Sequence, residues 1–189
     1  RFGPRAVREA STLFSFGHAG AYDHEDDASY LPGDVNIVDM GDADIIHTDT
    51  EASHANIEAG VRAALAAAAL PVVIGGDHSI TGGIVQALGK GHLAKGEKVC
   101  FLHLDAHTDV FTTVDHFLGA EKSAAHWGAY LVDQDMVDPA HSMQIGLRGH
   151  PRTLDWLQPS YDYGYNIVTM AEYRQRGALD VIEQIKTTL

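Results

Sequence analysis

The chain has 189 residues, enough for one ordinary domain, and 45% hydrophobic content against 21% charged supports a packed core rather than global disorder. Lys plus Arg number 13 against 26 Asp plus Glu, a formal charge of −13, which argues against nucleic acid and anionic membrane as partners. A single cysteine, Cys100, excludes an intrachain disulfide and a multi-thiolate zinc site.

No apolar run is long enough to span a bilayer, and residues 1–8 have no secretory-signal pattern, so the expected location is cytoplasmic. Residues 17–33, with a His-Glu-Asp-Asp stretch, read as a long acidic loop. A first strand is predicted over 35–40 (Val-Asn-Ile-Val-Asp-Met) and ends at Gly41-Asp42. From about 48 to 70, Ile57, Val61, Leu65 and Ala68 recur at helical spacing until Pro71 stops the run. Residues 71–74 (Pro-Val-Val-Ile) predict a second strand, and 79–88 a helix capped by Asp77 or Ser79 and stopped by Gly89.

Residues 99–104 form a predicted strand with little alternation, as expected where both sheet faces are covered, and Cys100 reads as a small core residue within it. Residues 142–147 and 166–170 are two further short strands, and Leu179, Ile182, Ile185 and Leu189 line one face of a closing helix. Strands alternating with helices predict an α/β fold: three α-β-α layers around a mostly parallel sheet, forming one domain over 1–189.

In such folds ligands bind beyond the carboxyl ends of the strands. Two predicted strand ends carry unusual residues: Gly-Gly-Asp-His-Ser over 75–79 and Asp-Ala-His-Thr-Asp over 105–109. In extended chain, residues two apart share a face, so Asp105, His107 and Asp109 can converge, with His78 leaving a neighbouring strand. Two imidazoles and two carboxylates suit a pair of Mn²⁺-like ions, because carboxylates bridge and the set mixes oxygen with nitrogen. Ni²⁺ or Zn²⁺ would bind the same groups at least as tightly. His103, two residues before Asp105, reads as a buried, hydrogen-bonded histidine; Asp42, Asp44, His47 and Asp49 read as turn and cap residues ahead of a helix.

These two motifs, together with Arg1-Phe-Gly-Pro-Arg-Ala-Val-Arg8, Asp39-Met-Gly-Asp42 and Met143-Gln-Ile-Gly-Leu-Arg-Gly149, resemble the ureohydrolases, the family of arginases, agmatinases and other guanidino-compound hydrolases. The agmatinase-like branch is the nearest match. The resemblance implies an arginase-like fold, with His78, Asp105, His107 and Asp109 as ligands of two divalent metal ions, Asp105 bridging. It further implies that Asp109 aims the nucleophile and that His126 relays protons to the leaving amine. Histidine titrates close to neutral pH, which suits that task. The family pattern has a strand before residue 1 and, after a helix like 179–189, a strand with Asp-x-Asp-x-x-Asp-Pro that completes the metal site. The chain is therefore expected to be an excerpt of a longer protein, its remaining metal and substrate ligands lying beyond residue 189.

Agmatinases usually have His-Gly-Thr where this chain has His126-Trp127-Gly128, and the Asn and Ser that hold an amino-acid head group in arginases are replaced within Lys122, Ser123, Ala124 and Ala125. Trp127 is expected to alter pocket size and polarity. The expected substrate is a small cationic guanidino compound other than arginine: agmatine, a guanidino acid, guanidine or an alkylguanidine, hydrolysed to urea and an amine or ammonia. The family implies a homo-oligomer, trimer or hexamer. Two rival readings are a single-zinc deacetylase of the same architecture and a non-catalytic subunit of a hetero-oligomer.

Overall fold

The computed structural model describes residues 2–11, 20–31, 35–112, 121–149 and 154–189. These fall into two compact units, one of residues 1–43 with 72–76 and the other of residues 44–71 with 77–189.

In the first unit, α1 (Gly3–Ser11) starts with Pro4 in its first turn, where a missing N–H costs nothing. The helix presents Arg8, whose guanidinium bonds Asp39 at 2.6 and 3.0 Å and Asp42 at 2.6 Å. Its entry lies so close to the Gly75 carbonyl that a Cβ on Gly3 would stand 3.0 Å from that oxygen. The described part of the predicted acidic loop is a hairpin of β1 (Ala21–Asp23) and β2 (Ala28–Tyr30), its turn braced by Asp23 Oδ1 accepting from the Glu25 N–H at 2.8 Å. Residues 17–19 and 32–33 of that loop lie outside the described residues.

Neither 35–40 nor 71–74 forms a strand, contrary to their composition. Both segments have exposed β-branched side chains (Ile37 69%, Val72 82%). A strand is defined by its ladder, and among the described residues no partner pairs with either.

The second unit opens with α2 (Thr50–Ala66), capped by Asp49, whose carboxylate accepts from the Ala52 N–H at 2.9 Å. Asp49 is thus a cap residue, as expected. Next, α3 (Ile80–Gly91) packs along α2, because Gly83 brings its backbone against Ile57. The helix runs past Gly89, which nestles against Met136 instead of stopping it.

The sheet has three parallel strands in the order β3 (Leu102–Leu104), β4 (Met143–Leu147), β5 (Asn166–Thr169). Between β3 and β4 lies α4 (Trp127–Asp133); α5 (Gln158–Tyr163) precedes β5; α6 (Met170–Arg176) and α7 (Ala178–Thr188) follow it. A reciprocal capping box between Thr169 and Glu172 starts α6 directly from β5.

Two apolar clusters build the layers. Met143, Ile145 and Val168 pack with Val181 of α7, while Val85 of α3, Trp127 to Leu131 of α4, Val137 and Tyr165 form the other cluster, with Phe101 against it. Over the first three residues of β4 the faces alternate: Met143 and Ile145 enter one cluster, and Gln144 points the opposite way, toward Thr108 and His103.

On β3, His103 is buried but Leu102 and Leu104 are 39% and 69% exposed, so one face of this strand is uncovered among the described residues. Cys100 shares the outward alternation and is exposed, not a core residue as its apolar neighbours suggested; Phe101 takes the inward position.

Candidate metal centre

The tip of β3 is where the sheet presents polar side chains. The Asp105 N–H donates to the Ile145 carbonyl at 3.1 Å and the Arg148 N–H donates to the Ala106 carbonyl at 2.9 Å, tying the tip to the end of β4. Gly146 makes the register shift there, with φ +94° and a position that would place a Cβ 3.3 Å from the Asp105 carbonyl. A side chain would be strained at that φ and crowded.

Beyond the tip the chain turns instead of staying extended. Asp105 Oδ1 accepts from the His107 backbone N–H at 2.9 Å, an Asx turn, and Asp109 adopts φ +52°. The turn brings Asp105 and Asp109 together but carries His107 outward: its side chain is 67% exposed, and Nδ1 lies 3.4 Å from Asp105 Oδ1. The period-two expectation therefore describes the two carboxylates and not the histidine between them.

His78 enters from the turn before α3, where Asp77 Oδ1 accepts from the Ser79 N–H at 2.9 Å. Its Nδ1 lies 2.7 Å from Asp109 Oδ2 and 3.2 Å from Asp105 Oδ2. The bond to Asp109 and the charges of both carboxylates raise the His78 pKa against an opposing burial effect. For Asp105, burial pushes the pKa up, but the His107 and Ala106 N–H groups and the imidazoles of His103 and His78 outweigh it, so the net shift is down.

A fourth side chain completes the cluster. His103 is buried, and its Nε2 lies 3.7 Å from Asp105 Oδ2 and 3.8 Å from Asp109 Oδ2 without any hydrogen-bond partner. Burial depresses its pKa to about 4, so the ring is neutral at physiological pH. Its Nδ1 lies 3.5 Å from Gln144 Nε2, which itself donates to the Thr108 carbonyl at 2.6 Å. One ligand-type atom from each of His78, His103, Asp105 and Asp109 lies within 4.8 Å of every other.

Two carboxylates, a second imidazole and a buried nitrogen with nothing to bond are a donor set suited to divalent cations. An unpaired buried polar atom carries a desolvation cost of about 1–3 kcal/mol that a ligand would remove. These residues fit a bound metal. His103 is buried beside Gln144, as expected, and its place two residues before Asp105 puts both on one face of the chain.

His126 stands at the N-terminal cap of α4, half-buried, with Nδ1 3.0 Å from the Glu121 carbonyl and its ring 5.8 Å from that of Tyr130. It lies outside the four-residue cluster. Trp127 does not behave as a pocket wall: it is 2% exposed, sits in the apolar core, and its indole N–H donates to Asp109 Oδ2 at 2.8 Å.

Comparison with known proteins adds an independent line. The family model described as "Arginase family" matches residues 1–189. The mitochondrial guanidino acid hydrolase of Homo sapiens is 30% identical over 187 residues, covering 98% of this chain and 49% of that protein. The agmatinase of Serratia proteamaculans (strain 568) is 28% identical over 187 residues, covering 98% of this chain and 54% of its own length. The solved structure of proclavaminate amidino hydrolase from Streptomyces clavuligerus superposes with a TM-score of 0.76 at 26% identity, over 99% of this chain and 58% of that one. The chain thus spans about half the length of the curated relatives it matches.

Proposed function

The chain belongs to the arginase family, and from that premise we propose that it carries active-site residues of a binuclear metal-dependent amidinohydrolase. The reaction is hydrolysis of a guanidino C–N bond, giving urea and an amine, or urea and ammonia from guanidine. The observation that carries this reading is the convergence of His78, His103, Asp105 and Asp109 at the tip of β3.

His78, Asp105 and Asp109 would hold the ions, with His107 joining them from the solvent side of the cradle, where its Nδ1 lies 3.4 Å from Asp105 Oδ1. Mn²⁺ is the default for this oxygen-rich set, and Ni²⁺ competes for it. Bound divalent cations supply Lewis acidity, which makes hydroxide accessible near neutral pH against a resonance-stabilised, weakly electrophilic carbon.

The chain's own residues do the rest. Asp109, held at the back of the cradle, accepts a hydrogen bond from the attacking water and aims it. In the neutral tautomer that bonds the Glu121 carbonyl, His126 has its proton on Nδ1 and its lone pair on Nε2. Once protonated, Nε2 is the donor to the leaving amine, so the departing group exits as a neutral amine.

The relatives named for agmatine, guanidino acid and proclavaminate chemistry support a small cationic guanidino substrate other than arginine. The departures at 122–125 from the arginase pattern support the same exclusion. We further propose a homo-oligomer, which sedimentation of the intact protein tests.

The decisive experiment is urea release over a panel of agmatine, guanidino acids, guanidine, alkylguanidines and arginine, before and after chelation and Mn²⁺ or Ni²⁺ restoration. Metal-dependent urea release from a non-arginine member is expected. Arginine as the best substrate overturns the specificity reading. No urea from any member supports the non-catalytic subunit instead.

A further inference from the structure

Asp109 is the most constrained residue of the cradle. It is 6% exposed and holds φ +52°, a left-handed conformation that a residue with a Cβ keeps only where its surroundings enforce it. Two adjacent residues do so from opposite ends. The Gly128 N–H donates to the Asp109 carbonyl at 3.0 Å, and the Trp127 indole N–H donates to Oδ2 at 2.8 Å. A Cβ at Gly128 would stand 2.9 Å from Val110 Cγ2 and 3.1 Å from the Asp109 carbonyl, so α4 approaches this closely only through glycine.

The indole has no freedom to leave. Its ring lies 5.1 Å from Phe101, 5.0 Å from His103 and 5.0 Å from His78, all centroid to centroid. An indole N–H is a donor only, so it occupies one lone pair of Oδ2 without adding charge or a rival ligand atom. A lysine or histidine at this position would do one or the other. Held this way, the carboxylate keeps its orientation without a cation and loses little freedom when one binds.

Resting on the metal-centre reading above, we propose that Trp127 is a positioning residue: with Gly128 it clamps the Asp109 carboxylate into the cradle. The sequence's departure at His126-Trp127-Gly128 is then a device for holding a ligand, not a change to the substrate pocket.

Two variants of the intact protein test this. Trp127→Phe keeps most of the packing, and benzothienylalanine incorporated at 127 keeps the shape but replaces the N–H with sulfur. Both should weaken Mn²⁺ binding, measured by calorimetry, about 10- to 100-fold, the usual cost of losing such a partner. The isostere should leave the melting temperature of the metal-free protein near that of wild type. Mn²⁺ affinity within about twofold of wild type in the isostere overturns the proposal.

A second readout needs no metal. With Trp156→Phe leaving Trp127 as the one tryptophan of these 189 residues, its indole N–H, assigned by its disappearance in Trp127→Phe, should exchange slowly with solvent and shift in the NMR spectrum on Asp109→Asn. Fast exchange, or no shift, overturns the clamp. If wild type takes up no Mn²⁺ while this N–H stays protected, the metal reading fails and the clamp stands.

Discussion

Asp39 and Asp42 share the guanidinium of Arg8 on an exposed surface, whereas Asp105 and Asp109 share two imidazoles in a largely buried cradle. The residue types are similar and the physics is not. Arg8 brings a permanent charge and bonds both acids at 2.6 Å, so that group is complete. In the cradle His103 is held neutral by burial, its Nε2 is unpaired, and two carboxylate oxygens face it at 3.7 and 3.8 Å. Acidic pairs mark a binding centre where they are buried around an incomplete partner set, and mark a fastener where a fixed cation already satisfies them.

Breaking this contrast should show first in activity. Asp109→Asn is expected to lower urea production more than about 100-fold, beyond the loss usual for a residue that merely supports a ligand. Asp39→Asn should leave the rate near wild type. Equal losses in steady-state assays would erase the distinction.

Next comes linkage. If the cradle takes Mn²⁺ in the native state alone, a free concentration of 100 times Kd stabilises the fold by about 2.7 kcal/mol. Thermal unfolding with and without Mn²⁺ should register this in wild type and Arg8→Ala, and not in Asp109→Asn.

A smaller effect is expected at His103. Replacing a buried imidazole whose Nε2 has no hydrogen-bond partner by a nonpolar side chain, His103→Leu, should stabilise the metal-free protein by about 1 kcal/mol in urea unfolding. Unchanged or lower stability would mean that Nε2 has a partner in solution.

The smallest effect concerns Asp39. Its hydrogen bond from Arg8 first, then the Gly41 N–H, hold its carboxyl at about 2, below its unfolded value. A depressed acid contributes stability above the unfolded pKa and loses it as pH falls toward the folded one. Arg8→Ala should therefore flatten the dependence of stability on pH between about 4 and 2. The loss of stability in Arg8→Ala is then greatest near neutrality and vanishes toward pH 2, and it is small throughout because the pair is solvent-screened.

Much of the fold was legible because its signals are local. The α2 and α7 patterns, the short apolar runs of β4 and β5, and the Asp49 cap depend on neighbours no more than about four residues away. The predicted strands at 35–40 and 71–74 had the right composition, but a ladder requires a partner that composition cannot supply. Cys100 failed for a related reason: apolar context does not say which side of a strand faces out, and Phe101 took the inward position.

At the site, residue types and their spacing pointed to His78, Asp105, His107 and Asp109 as metal ligands, because carboxylates and imidazoles crowd there at glycine-rich strand ends. Their arrangement was a tertiary matter. The Asx turn at Asp105 sends His107 toward solvent, the face shared with Asp105 buries His103, and the packing of α4 aims the Trp127 N–H at Asp109. Chemical identity is a property of each residue. Orientation and burial come from contacts between residues far apart in sequence, and they exist only once the chain has folded.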